Sequence, residues 1–351
     1  MKYASHKSNK HRSKLYYVLI VIAIALCAAF AGSIGYRTWY ERQLRPVSTV
    51  ERVEVVEIPT GASVQEIASL LQAKGLIRSS QAMVTYARSN ALFNDMKAGT
   101  YRLDASKSTP DIVSVITQGK VLENNVTILP GKRIDEIQKM LIDAGFKAED
   151  VSAAFDPGNY KGHPALIAKP TSQSLEGYLF PETFNTTSQT TVQDIIEQSL
   201  DEMAKALTPE RIDMFQKQGL GIHQAVTLAS IVLKESSNPV DQKKIAGVFY
   251  NRLSQGMVLG SDVTYQYIAD ITGQERSAMI DSPYNTRKYA GLPPGPISNT
   301  SINALDAVAY PTKTDYLYFV AGDDGIVYYA KTLAEHEENV KKHCIQLCAT
   351  Y

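Results

Sequence analysis

The hydrophobic pattern divides the chain before any chemistry is considered. From Leu15 to Tyr36 no residue is charged. A helix of about 22 residues spans about 33 Å, the thickness of a bilayer core. Lys14 and Arg37 close the run, and Tyr16, Tyr17, Tyr36, Trp39 and Tyr40 supply interfacial aromatics. A single-pass transmembrane helix over 15–36 is expected. The competing reading is a cleaved signal peptide, because Ala29-Phe30-Ala31 resembles a small-x-small cleavage site. The apolar run exceeds a usual signal core, which favours the anchor. Leu26 before Cys27 is a poor match to a lipoprotein cleavage site. No later apolar run is long enough to span.

A polar connector is expected over 37–52. Val53–Ile58 then alternates with period two and reads as a strand. Pro59-Thr60-Gly61 is a turn. Ser63 and Glu66 form an S-x-x-E capping box, Ile67, Leu70 and Leu71 make a helical stripe, and Gly75 stops it. The pattern recurs. Asn125–Leu129 reads as a strand and Pro130-Gly131 as a turn. Ile134, Ile137, Met140 and Leu141 are the stripe, and Gly145 the stop. Two strand–turn–helix units, each in its own subdomain, are expected; chance agreement between two common patterns is the alternative. Between them, Ala98–Leu103 reads as a strand. Thr109 reads as a helix cap with Pro110 at the first position, Ile112, Val115 and Ile116 facing inward and Gly119 at the end. Residues 53–122 therefore form a small α+β module. It has no catalytic cluster, so binding or spacing is its default role.

Further on, Ile222–Glu235 is apolar around most of its circumference and reads as a buried helix. Asn238 and Pro239 open the next, with Ile245, Val248, Phe249 and Leu253 on one face and Gly256 near its stop. Tyr316–Val320 and Ile326–Tyr329 flank Gly322–Gly325 as a hairpin. Thr332 and Glu335 make a capping box before a last helix. Cys344 and Cys348 read as one turn apart on that helix, where disulfide geometry is doubtful and metal binding is weakly supported. They are taken as incidental.

Composition narrows the class. The 351 residues suffice for two or three domains, and 44% hydrophobic with 21% charged residues excludes a disordered or collagen-like chain. Thirty-six basic residues balance thirty-six acidic ones, which argues against a nucleic-acid binder. The balance is uneven along the chain. Residues 1–14 carry Lys2, Lys7, Lys10, Arg12 and Lys14 and no acid, leaving 31 basic against 36 acidic residues in the rest. A basic arm over 1–14 places the N-terminus in the cytoplasm and everything after Arg37 outside.

Glu235 is the first candidate for chemistry. Partial burial and the negative end of a helix dipole both favour its protonated form, as a general acid needs at neutral pH. A surface glutamate at a helix end is the alternative. Three loop-like stretches follow: Gly260–Tyr265, Ser282–Thr286 and Gly291–Asn299. They are rich in side chains that bond hydroxyls and stack on sugar faces. Each alone reads as a capped turn; together after one buried glutamate they suggest a cleft.

The chain resembles the YceG-like, or MltG, endolytic murein transglycosylases of bacteria over about residues 53–345. The resemblance rests on EGYLFPETF at 176–184, LASIVLKE at 228–235, VFYNRL at 248–253, SDVTY at 261–265, YNT at 284–286, GLPPGPIS at 291–298 and YLYFV at 316–320. It implies an α+β fold: an anchor, a LysM-like module over 53–122 and a mixed α+β catalytic domain over 123–351. The family usually shows a motif like ASIVEKE; here Leu233 replaces the first glutamate and Glu235 keeps the second. The catalytic glutamate maps to Glu235, the only acid candidate left on this helix. Substrate contacts carry over to Glu176, Tyr178, Asp262, Thr264, Tyr284, Asn285 and Asn299, some of which only shape the cleft.

The implied reaction cleaves the β-1,4 bond between N-acetylmuramic acid and N-acetylglucosamine within peptidoglycan strands. Glu235 protonates the leaving oxygen and its anion then takes the proton of the muramyl 6-hydroxyl, giving a 1,6-anhydromuramyl end. No cofactor and no metal is implied. The implied partners are glycan strands and, near the nascent wall, synthases and division or elongation proteins. A non-enzymatic wall-binding scaffold is the alternative, and a hydrolase pairing Glu235 with Asp262 a third reading.

Overall fold

The computed structural model describes residues 10–120, 124–187 and 189–350. Residues 1–9 of the expected basic arm, and 121–122 at the end of the expected module, lie outside them. The first element, α1 (Lys10–Gln43), is one continuous helix. Its segment Tyr16–Gln43 is long and apolar enough to cross a membrane. The helix does not stop at Arg37 but runs into the first part of the expected connector. Arg37 Nε lies 3.2 Å from Glu41 Oε1 one turn on, an i,i+4 pair that supports the continuation.

The chain divides into two compact units, one running through Asn124 and including 187–189, the other made of the rest. In the first, β1 (Val53–Ile58) leads through α2 (Val64–Ala73) and α3 (Ser80–Ser89) to β2 (Gly99–Asp104) and α4 (Thr109–Gln118). The two strands are antiparallel, Val53 opposite Asp104 and Ile58 opposite Gly99. Their alternation buries Val56, Ile58, Tyr101 and Leu103 against Ile67, Leu71, Met83, Ile112 and Ile116. The Ser63–Glu66 capping box forms as the spacing predicts. At α4 the cap is Ser108 rather than Thr109: Ser108 Oγ accepts the Asp111 N–H at 3.3 Å, and Asp111 Oδ2 accepts the Ser108 N–H at 3.2 Å. Proline fits several first-turn positions, because N–H groups there have no helical partner. The carboxylate three residues after Ser108 selects that residue as the cap.

The second unit runs β3 (Asn124–Ile128), α5 (Ile134–Asp143), α6 (Ala148–Ala154), β4 (Glu182–Thr186), α7 (Val192–Ala206), α8 (Pro209–Lys217), α9 (Ile222–Glu235), α10 (Pro239–Ser254), α11 (Asp262–Thr272), α12 (Ile302–Ala309), β5 (Tyr318–Ala321), β6 (Val327–Ala330) and α13 (Leu333–His343). Strands β3 and β4 pair, and so do β5 and β6. The recurring pattern is real in geometry. Gly61 and Gly131, in the two turns, have φ of 82° and 73°, and Gly75 and Gly145, past the two helices, have 66° and 102°. All four take the left-handed conformation that glycine adopts without steric cost.

Helix α9 is the axis of this unit. Every residue from Ala225 to Val232 is buried, against α8, α10, α11 and α12. Burying side chains the size of Leu228, Ile231 or Val232 contributes about 1.5–3 kcal/mol each, so the helix end is held on a rigid support. At the far end of the chain, the expectation for the cysteines is corrected. Cys344 and Cys348 form a disulfide with Cα atoms 5.3 Å apart. The last helix stops at His343 and Cys344 already has non-helical backbone, so the two do not share a helix face. Asp323 also holds this segment, accepting the N–H groups of Ile345, Gln346 and Leu347 at 2.8–2.9 Å.

Candidate active site

Glu235 is the last residue of α9. The turn after it is fixed from several sides. Gln242 Nε2 donates to Ser236 O at 2.8 Å, Ser236 Oγ accepts the Asn238 N–H at 3.1 Å, and Asn238 Oδ1 caps α10 through Val240. Glu235 as a whole residue is intermediate in exposure. Protein packed around the carboxyl nevertheless desolvates it and pushes its pKa up to about 7. Desolvation is the largest cause, and the neighbouring Asp262 adds to it. The Ser261 hydroxyl, Arg287 and Arg252 act the other way. Ser261 Oγ donates to Glu235 Oε1 at 2.5 Å.

Two basic residues frame this carboxyl. Arg287 is ion-paired to Asp262, the first residue of α11. Arg252 donates to Leu259 O at 2.7 Å and lies over the Tyr318 ring, 5.0 Å from its centroid. Between them Gly260 takes φ 63°, where a side chain would be strained and would meet Arg252 Nη1 at 2.8 Å.

Of the expected substrate contacts, Asp262 and Tyr284 keep partial exposure, while the other five are buried and bonded to protein. Thr264 Oγ1 donates to Ser261 O at 2.7 Å, and Asn285 Nδ2 donates to Ala278 O and Ile280 O at 2.8 Å each. Asn299 is committed to the β3–α5 turn: it accepts from Lys132 N at 2.8 Å and donates to Leu129 O at 3.0 Å. That turn lies beside α9, where Lys234 Nζ reaches Gly131 O at 3.4 Å.

Glu176, 6% exposed, accepts the Ile134 N–H of α5 at 3.2 Å and the Tyr267 hydroxyl at 3.4 Å. Desolvation pushes its pKa up to about 7. Next to it, Gly177 has φ 85°, and a Cβ there would lie 2.3 Å from Pro296 Cβ, so the EGYLF and GPIS loops touch at this glycine. Tyr178 is fully buried and its hydroxyl meets His223 Nδ1 at 2.9 Å. His223 Nε2 lies 3.0 Å from Pro294 O. A carbonyl only accepts, so Nε2 carries the proton and Nδ1 accepts from Tyr178.

Sequence reasoning singles out neither Ser261 nor Arg252, Arg287, His223 and Gln242 as functional. Ser261 and Arg252 lie inside the SDVTY and VFYNRL motifs, but Glu235 is 26 residues from Ser261, and Leu317, which accepts from Arg252, is 65 away from it, separations that periodicity cannot see.

Known proteins place the chain as a whole. The chain is 33% identical to an endolytic murein transglycosylase of Streptococcus pneumoniae serotype 2 (strain D39 / NCTC 7466), over 94% of this chain and 65% of that one. It is 32% identical to the endolytic murein transglycosylase of Bacillus subtilis (strain 168), over 86% of this chain and 88% of that one. The chain thus spans just under two thirds of the length of the streptococcal relative. A crystal structure of a yceG-like protein from Listeria monocytogenes superposes with a TM-score of 0.55 at 33% identity, covering 82% of this chain and 98% of that one. The model of the YceG-like family matches residues 56–342, and the chain belongs to that family.

Proposed function

We propose that the protein is a membrane-anchored lytic transglycosylase that cuts peptidoglycan strands internally, with Glu235 as its acid and base. The observation that carries this reading is the Glu235 carboxyl at the end of a buried helix: desolvated, pushed up to about 7, and held through one oxygen by the Ser261 hydroxyl. Such a group is neutral often enough at neutral pH to give a proton, and its anion is basic enough to take one back.

The chemistry needs one carboxyl. Glu235 gives its proton to the glycosidic oxygen as the bond from the muramyl anomeric carbon breaks. The anion then takes the proton of the muramyl 6-hydroxyl, whose oxygen bonds to that carbon. The proton lost in the first step is regained in the second, no water is consumed, and the product carries a 1,6-anhydro ring. A glycosidase, whose nucleophile is water or an enzyme carboxylate, needs a pair of carboxyl groups. Asp262 and Tyr284, the partly exposed residues of the expected set, line the cleft. Glu176, Tyr178, Thr264, Asn285 and Asn299 set its shape from behind. Residues 53–122 act as a LysM-like module that holds or spaces the strand. The anchor leaves the N-terminus in the cytoplasm and the catalytic unit outside, where nascent strands would be ended or released beside the synthases.

The test is product analysis. Detergent-solubilised full-length protein is incubated with uncrosslinked glycan strands and the ends are identified by mass spectrometry. Anhydro ends are expected, with Glu235→Gln slower by about 10²–10⁴-fold, the usual worth of a positioned acid–base group. Reducing ends that incorporate solvent oxygen would discard transglycosylation and point to Glu235 acting with Asp262. An unchanged rate in Glu235→Gln would remove the residue from the mechanism.

A further inference from the structure

Ser261 stands at the N-cap of α11 with extended backbone, φ −89° and ψ 120°. A serine there ordinarily accepts an N–H from the first turn of its own helix. Ser261 makes no such bond. The capping side chains of Thr191, Thr208, Asn238, Ser301 and Thr332 in the same unit all do. The Ser261 hydroxyl is turned instead to Glu235 Oε1, 2.5 Å away.

The surroundings hold it there. Thr264 Oγ1 donates to Ser261 O at 2.7 Å, and the Ser261 N–H reaches Thr286 Oγ1 at 3.2 Å. Thr286 N donates to Thr264 Oγ1 at 3.1 Å, and Gly260 N to Thr286 O at 2.8 Å. Ser261, Thr264 and Thr286 are all at most 3% exposed, so the hydroxyl has no alternative partner in water.

We propose that Ser261 is a positioning residue for the acid, its hydroxyl fixing Glu235 Oε1 so that Oε2 alone carries and delivers the proton. The proposal rests on the transglycosylase reading of Glu235. A neutral carboxyl has one proton, and an oxygen already facing a donor is the poorer place for it. Once the proton has passed to the leaving oxygen, the same contact becomes a charge-assisted bond to the carboxylate and strengthens. It therefore favours the anion that forms as the sugar bond breaks. The charged groups facing Glu235 are Asp262 on α11, Arg252 on α10 and Arg287 in the loop after Tyr284, and Ser261 is the neutral donor among them.

The test compares kcat, KM and pH profiles of the full-length protein on uncrosslinked strands with those of Ser261→Ala, Ser261→Cys and Ser261→Thr. In Ser261→Ala, kcat is expected to fall by about ten- to a hundredfold, as for a misplaced reacting group, with KM within about twofold. The basic limb of its kcat profile moves to higher pH, because the lost bond favoured the carboxylate. Ser261→Thr, which keeps the hydroxyl, brings the limb back. If Ser261→Ala does not fold, Ser261→Cys, similar in size and a weak donor, is read in its place with the same outcomes. An unchanged kcat and an unmoved limb would overturn the proposal, as would equal losses in the alanine and threonine variants with no movement. Absence of anhydro ends from the unchanged protein would sink the transglycosylase reading and this proposal together. An active protein indifferent to Ser261→Ala would sink this proposal alone.

Discussion

Glu176 and Glu235 are two carboxyl groups raised to about 7 by burial, and they differ in what they can reach. Glu235 is an intermediately exposed residue at a helix end, whereas Glu176 is 6% exposed and accepts from Ile134 and Tyr267. Glu176 therefore leaves its mark on stability. Its folded pKa lies above the ordinary value of 4.5, so the folded state binds more protons between about pH 4.5 and 7. Stability falls as pH rises through that window, and the full cost is present above it. Glu176→Gln keeps an acceptor for Ile134 and Tyr267 but has no charge to bury. It should match the unchanged protein at pH 5 and exceed it at pH 8, by at most about 3 kcal/mol. Urea unfolding at the two pH values checks this, and an equal difference at both would contradict it. The glutamate at the end of α9 was legible in the sequence because helix periodicity places it. The serine that faces it was not, since a serine before a helix reads as a cap wherever it occurs.

Elements explain why motif residues need not touch a ligand. Asn299 was expected either to contact the substrate or to shape the cleft, and its side chain ties the β3–α5 turn to the loop before α12. Replacing it with alanine removes the side-chain partner of the Lys132 N–H and the Leu129 carbonyl, two part-buried bonds each worth about 0.5–1.5 kcal/mol. Asn299→Ala should lower the melting temperature measurably while leaving the pH profile of cleavage in place. A large change in KM with no loss of stability would return Asn299 to the substrate. Local signals served well where the partner is close in sequence: the capping boxes at Ser63 and Thr332 and the glycine stops at Gly75 and Gly145 formed as spacing predicts. They served less well at α4, where two adjacent hydroxyl residues competed, and at Cys344, where the helix ended one residue before the cysteine.

In the whole molecule, a long apolar helix opens the first of two units, and the recurring strand–turn–helix pattern contributes one copy to each. The segment Tyr16–Gln43 is expected to keep the full chain in the membrane fraction after a high-salt wash, with release by detergent. Residues 44–351 should remain in the supernatant, and recovery of that fragment with washed membranes would show a second attachment. The apolar helix, the α+β class and the place of Glu235 at the end of α9 could be read directly, because each depends on periodicity or on a residue's place within one element. Contacts between residues far apart in sequence could not. The Ser261–Glu235 bond, the arginines around it and the use of Asn299 as a tie exist because packing around α9 brings four helices and three loops together, and no local pattern encodes which side chains then meet.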